Sequence, residues 1–202
     1  LLFDLQAAFP SLAHDYMWDA LAFLSLPPAL ITAVKAFYRA NDHTLCIGGL
    51  EIPSVRVLRG VRQGCPLSPL LFALCIDPFL LLLQRCLISP LDLLRGYADD
   101  LAVTLEHWHS LGPLLRQFSR FARVAGLSLN FAKCVFIPLW PFATSTGVSS
   151  LLQEHLGGTL AHRMEVARSG TYLGFAVGPG KGDSTWRKPA SKFVTRARVW
   201  GS

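Results

Sequence analysis

Charge is scarce in this sequence. Charged residues make up 16% of its 202 positions, against about a quarter in soluble proteins. Apolar residues make up 51%. So greasy a chain is either mostly interior or belongs to a larger protein whose other parts cover it, and it is long enough to bury a core of its own. No C-x-x-C pair occurs among Cys46, Cys65, Cys75, Cys86 and Cys134. Their odd number and apolar contexts argue against a disulfide framework or a zinc site and for free, buried thiols in a reducing compartment. There is no signal-peptide pattern and no internal repeat. No long hydrophobic run is free of interruption either. The longest, Pro66–Cys86, approaches the roughly 20 residues that span a bilayer, but Asp77 and Pro78 lie in its middle. A central Asp costs about 2.5–3.5 kcal/mol on insertion scales, so this run is expected to be a core helix and no membrane partner is expected. Acids are outnumbered by bases, 13 to 19, for a net charge of +6. That balance suits a polyanionic partner without demanding one. The stretch from Arg187 to Arg198 carries five of the bases and no acid.

The pattern that is present alternates strand and helix signals. Leu1–Leu5 is a short apolar run and reads as a buried strand. Two helical stretches follow; in the second, after Pro27–Pro28, Leu30, Ile31, Val34, Phe37 and Tyr38 recur at helical spacing. Gly48–Gly49 between β-prone runs predicts a two-residue hairpin. A turn-rich segment, "RGVRQGCPLSP", leads into the long apolar helix. Leu93–Ala98 and Leu101–Leu105 read as hairpin arms. Leu111–Ala125 reads as an amphipathic helix, with Arg116, Arg120 and Arg123 outward and an end near Gly126. "KCVFIPL" and "TYLGFAV" are strand-like, Ala143–Gly158 is loop-like with a short helix, and a last helix is expected from Pro189.

The predicted elements run β-α-β-β-α-β. In a split β-α-β arrangement the first strand and the first hairpin arm are parallel, with the second arm between them. Asp4, at the end of one, would then meet Asp99 and Asp100, at the hairpin tip of the other. Converging carboxylates raise one another's pKa, and a divalent cation removes that cost. Hard oxygen ligands favour magnesium or manganese, and two such ions stabilise the attacking and leaving oxygens of a phosphoryl transfer. An Asp pair in a solvated turn is the plainer reading of the dipeptide alone.

Three segments in order, "FDLQAAF", "RQGCPLSP" and "YADD", resemble the palm of reverse transcriptases, particularly those of non-LTR retrotransposons and group II introns. The resemblance extends from Leu1 to about Val177. It implies an α+β polymerase palm with a ferredoxin-like split β-α-β core over residues 1–177, including a fingers-side insertion at about 13–62. A linker at 178–188 and the start of a thumb helix at 189–202 would follow. It implies RNA-directed DNA synthesis with two magnesium ions, manganese being a substitute, and with an RNA template, a DNA primer and deoxynucleotides as partners.

Residue by residue, the resemblance makes Asp4 and Asp99 the shared metal ligands, Asp100 a supporting acid, and the Leu5 carbonyl a further candidate ligand. Phe9 falls where the family blocks a ribose 2′-hydroxyl. Gln63 and Gly64 fall beside the incoming nucleotide, and Gly60, Arg62, Pro66, Leu67, Ser68 and Pro69 also match that motif. Tyr97 before the acids is similar to reverse transcriptases rather than to the Gly-Asp-Asp of viral RNA-copying polymerases. "GLSLNFAKC" resembles a motif whose lysine, here Lys133, lies near the triphosphate and can donate a proton to the leaving pyrophosphate. Tyr172, Leu173 and Gly174 resemble a primer-gripping hairpin, and Lys192 and Arg196 would track phosphates from the thumb helix.

Two positions depart from the family pattern: Ala7 replaces a Lys and Pro10 a second Asp. They keep open a palm repurposed to bind RNA without chemistry, beside the palm of another RNA-templated polymerase. The start at Leu1 and the stop at Ser202 lead us to expect that fingers and thumb segments of a parent chain complete the enzyme, and that the segment alone extends primers weakly or not at all. An intracellular location is expected, with nucleus and cytoplasm not distinguished.

Overall fold

A hairpin with a two-residue tip sets the geometry of the first of two compact units into which the chain divides. The computed structural model describes residues 1–39, 42–140, 144–156, 163–182 and 184–200. The fold is mixed α/β. The first unit comprises Leu1–Asp4, Leu91–Glu106 and Asn130–Ser202. Its sheet contains β1 (Leu2–Asp4), β4 (Leu93–Tyr97), β5 (Asp100–Thr104), β6 (Val135–Phe136) and β7 (Glu165–Val166), in the order β4-β5-β1-β6-β7. β5 is antiparallel to both β4 and β1, so those two run parallel with β5 between them. β6 is antiparallel to β1 and parallel to β7.

Period-two alternation sorts this sheet's side chains. Phe3, Leu94, Leu101 and Val103 share one face and are buried. Asp4, Arg95, Tyr97 and Asp100 share the other. A separate hairpin, β8 (Gly170–Tyr172) and β9 (Phe175–Val177), turns at Leu173 and Gly174. Both turn residues have positive φ, the pattern of a type I′ turn, which matches strand twist. "TYLGFAV" is thus two short strands rather than one. Helix α6 (Ser145–Leu156) is the short helix expected within Ala143–Gly158 and takes up most of that stretch, and α7 (Ser184–Trp200) starts before Pro189 rather than at it. Part of the expected linker is therefore helical, and the remainder of the Ala143–Gly158 stretch, 143 and 157–158, lies outside the described residues.

The second unit comprises Leu5–Pro90 and His107–Leu129. It contains α1 (Ala8–Ser11), α2 (His14–Phe23), α3 (Pro28–Tyr38), the β2 (Asp42–Ile47) and β3 (Leu50–Arg56) hairpin, α4 (Ser68–Gln84) and α5 (Leu111–Ala125). The Gly48–Gly49 hairpin forms as expected. α5 buries Leu111, Leu114, Leu115, Phe118 and Phe121, exposes its three arginines, and ends at Gly126 in the left-handed conformation. In α4, Phe79 stacks on Phe121 with centroids 3.9 Å apart and meets Phe118 edge-on. Pro78 removes one helical donor, and the Tyr16 hydroxyl donates to the nearby Cys75 carbonyl at 2.7 Å. No helix among the described residues is long and apolar enough to cross a membrane.

Two expectations need correction. The α3 stripe is only partly buried: Val34 and Tyr38 are inside, whereas Leu30 and Phe37 are exposed. All five cysteines are free, but only Cys75 and Cys134 are buried, and Cys46 is exposed. Leu45, Ile47, Leu50 and Ile52 of its β2–β3 hairpin are exposed as well.

Gly60 joins the loop before α4 to α1. Its N–H donates to the Leu12 carbonyl at 2.7 Å, and the Val61 N–H donates to Phe9 at 2.8 Å. Gly60 has φ +83°, and a Cβ there would lie 2.6 Å from the Pro10 backbone. We predict that Gly60→Ala costs at least about 2 kcal/mol in urea unfolding, from combined positive-φ strain and contact. A loss below about 0.5 kcal/mol, the range of an unconstrained surface change, would show that the close approach is not required.

Candidate functional site

The acidic site arises from register. Asp4 is the cross-strand partner of Asp100, and Tyr97↔Asp100 closes the β4–β5 hairpin around Ala98 and Asp99. Ala98 has φ +51° and Asp99 does not have positive φ, the sign pattern of a type II′ turn. Ala at a position that favours glycine stores strain in this tip. Asp4 and Asp99 are half-buried, and Asp100 is exposed. The Asp100 carboxyl is held above the usual carboxylate range, first by lost hydration and then by the charges of Asp99 and Asp4. Like charges directly opposite across strands destabilise a sheet. The sequence reading therefore places Asp4 and Asp100 correctly as neighbours.

The Asp4 backbone is fixed on both sides. Its N–H donates to Cys134 Sγ at 3.5 Å, and its carbonyl accepts from the Asn130 N–H at 2.9 Å. Burial pushes the Cys134 thiol up to about 11. Lys133 is exposed in the turn that Asn130 opens. The Tyr172 phenol is raised above its ordinary value by burial and then by Asp100, with Arg95 acting in the opposite direction. Leu173 and Gly174 form the exposed hairpin tip, and Lys192 and Arg196 are exposed on α7. Ser169, Thr171, Gly174, Thr185 and Lys192 are among the residues that line a cavity of about 560 Å³ between that hairpin and α7. Sequence reasoning missed Arg95 as part of the acidic face and the contact of buried Cys134 with the Asp4 backbone. Strand alternation from Tyr97 back to Arg95 was the available signal for the first.

The donor set fits a hard divalent cation: carboxylate oxygens that repel one another. It is not a closed cage, because among the described residues no group of three or more His, Cys, Asp or Glu side chains is arranged to hold a metal ion. The expected three-acid convergence is thus a pair across the strands with a third acid at the turn. Magnesium is ordinarily bound by one or two carboxylates with the remaining positions left to water and phosphates, and an open arrangement suits that.

A second feature belongs to the other unit. Phe9, Gln63, Gly64, Pro66 and Ser68 are among the residues that line a cavity of about 380 Å³. The Phe9 ring is held by stacking on Phe72, centroids 4.6 Å apart. Gln63 is exposed, and Gly64 has φ +83° with nothing within 4 Å of where a Cβ would stand. Glycine is required there by conformation, and the space beside it stays open. Leu5 is buried and bridges to Leu129. The departures from the family pattern are accommodated. Ala7 takes the left-handed conformation as the cap of α1. Pro10 lies in the helix's first turn, where N–H groups have no helical acceptor to lose.

The Asp100 shift has a sign that can be checked. A carboxyl raised in the fold weakens stability once ionised, so that cost is absent below about pH 4, the ordinary Asp range, and grows as pH rises. Asp100→Asn is predicted to raise the melting temperature of the metal-free protein at pH 7, with the gain vanishing near pH 3. A gain that persists at low pH would mean that charge repulsion is not its source.

The chain is similar in sequence and fold to known proteins. The family model described as reverse transcriptase (RNA-dependent DNA polymerase) matches residues 1–177. The chain is 33% identical over 139 residues to the retrovirus-related Pol polyprotein from type-2 retrotransposable element R2DM of Drosophila melanogaster, covering 65% of this chain and 13% of that protein. It is 30% identical over 152 residues to the Pol polyprotein from type-1 retrotransposable element R2 of Popillia japonica, covering 72% and 21%. The chain thus spans a small part of the length of these relatives. Apo telomerase from Candida tropicalis, truncated from its C-terminal domain, is similar in fold, with a TM-score of 0.51 and 13% identity over 88% of this chain and 33% of that one.

Proposed function

This chain belongs to the reverse transcriptase family, of the non-LTR retrotransposon type, and we propose that it carries the catalytic palm of an RNA-directed DNA polymerase. The observation that carries this reading is the cross-strand pairing of Asp4 with Asp100 beside the Asp99 turn. The sheet order, with β5 between parallel β1 and β4, supports a split β-α-β palm core. In this reading residues 13–62 are a fingers-side insertion and the helix past Pro189 begins a thumb.

Asp4 and Asp99 would hold two magnesium ions, replaceable by manganese, with Asp100 in support and the Leu5 carbonyl as a further ligand. When bound, the ions neutralise charge on the phosphate and activate the primer 3′-hydroxyl. The chain's own residues do the rest by position and charge. Phe9, braced by Phe72, presents a bulky ring that excludes a 2′-hydroxyl, while Gln63 and Gly64 present an amide and an open backbone to the nucleotide. Lys133 offers a proton and a positive charge to the pyrophosphate. Tyr172, Leu173 and Gly174 grip the primer backbone, and Lys192 and Arg196 attract its phosphates. An RNA template, a DNA primer and deoxynucleotides are the partners, together with the fingers and thumb of the parent chain, in an intracellular, reducing compartment.

Primer extension on an RNA template by the full-length parent protein tests the reading. Asp99→Asn should lower incorporation at least about 100-fold, as expected for loss of transition-state charge stabilisation. Activity that survives the substitution overturns the metal assignment, and RNA binding without incorporation by the wild type favours a repurposed palm. Phe9→Ala should lower the preference for deoxynucleotides roughly tenfold or more; unchanged sugar discrimination removes the gate role.

A further inference from the structure

Gln63 and Gly64 sit in a loop with little of its own to hold it. Gln63 is exposed and hydrogen-bonds to none of the described residues, and Gly64 has open space on its Cβ side. Something else must give the loop one conformation, and the residue before it is attached at both ends. The Arg62 guanidinium donates to the Phe37 carbonyl and lies 5.6 Å from the centroid of the Tyr38 ring. The Arg62 carbonyl accepts from Ser68 Oγ at 2.6 Å and from the Cys65 N–H at 3.3 Å. One residue therefore links the end of α3 to the start of α4.

Each anchor is well founded. Phe37 is in the last turn of α3, where carbonyls lack helical donors and favour a cation. The Tyr38 ring is buried and flanked by His14 at 5.1 Å and Trp18 at 6.0 Å, so the surface under the guanidinium is rigid. His14 Nε2 in turn lies 2.9 Å from the Gly60 carbonyl, which braces the other side of the same loop. The Tyr38 hydroxyl is buried and has no hydrogen-bond partner among the described residues, so the ring, not the hydroxyl, is what Tyr38 supplies.

We infer that Arg62 is a positioning residue that fixes the Gln63–Gly64 backbone at the Phe9 cavity by clamping it between Phe37, Tyr38 and Ser68. The consequence for nucleotide selection rests on the proposed role of that cavity. A planar guanidinium that stacks and donates at once is not replaced by an ammonium, so Arg62→Lys should behave largely like Arg62→Ala. The same clamp predicts that Tyr38→Ala reproduces the Arg62 defect, whereas Tyr38→Phe does not.

The test uses the full-length parent protein with an RNA template, a DNA primer and magnesium. Arg62→Ala, Arg62→Lys and Tyr38→Ala should each raise KM for deoxynucleotide and lower the deoxy-to-ribo preference by about tenfold, within the range that displacement of a positioning group produces, while kcat at saturation changes less. Tyr38→Phe should match the wild type. Hydrogen exchange provides an arm that needs no activity: amides of 63–65 should exchange faster in Arg62→Ala, while those of α5 stay protected. Wild-type KM and discrimination in the Arg62 variants, or unchanged exchange at 63–65, would overturn the inference. If the wild type incorporates nothing, the polymerase reading fails, and the exchange arm alone still decides whether Arg62 holds the loop.

Discussion

Carboxylates that face one another across paired strands are the constraint around which this sheet is built. Asp4 and Asp100 occupy opposing positions, with Asp99 next to the second of them. The Asp100 carboxyl is held above the usual carboxylate range, first by lost hydration and then by the charges of Asp99 and Asp4. A sheet that needed only stability would place a base or an apolar residue at one of these positions. The surrounding architecture instead keeps the acids where they are. Phe3, Leu101 and Val103 bury the opposite face, and the Asp4 backbone is held by Cys134 and Asn130. The tip that presents Asp99 carries Ala98 in a strained conformation. Repulsion and strain thus coincide at one spot, which is the arrangement the proposed cation site rests on.

The second unit solves a different problem. The Phe9 cavity is made from a stacked ring, an open glycine and an exposed amide, so it offers shape more than charge, as the proposed nucleotide role requires. Its order comes from connections behind it: Gly60 against Pro10, and Arg62 across to Phe37 and Ser68. The loop is thus mounted on helices whose own packing includes an aromatic core around Phe79 and Phe121.

Much of this was legible in the sequence, for physical reasons. β1 is a short apolar run, the hairpin arms flank a two-residue tip, and two-residue turns permit few registers, so Asp4 and the Asp99–Asp100 pair could be brought together from the β-α-β-β-α-β order. α5 was readable because its apolar stripe is unbroken and Gly126 ends it. Other elements were obscured by competing signals. α6 is rich in Ser, Thr and Gly, which favour turns, so the extent of the expected short helix was hidden; it runs over Ser145–Leu156 with Val148 and Leu152 buried. Pro189 resembled a helix start because proline favours the first turn, but α7 runs through it. The roles of Arg62, Arg95 and Cys134 depend on which partners fold toward them, and local pattern carries no record of that.

The central claim is that the opposed acids are held together for divalent cations. The most direct test is a crystal structure of the parent protein with primer, template and manganese, read by anomalous scattering. The account predicts anomalous density coordinated by carboxylate oxygens of both Asp4 and Asp99. Manganese bound elsewhere, with the Asp4 and Asp99 carboxylates ligating no ion, would contradict it.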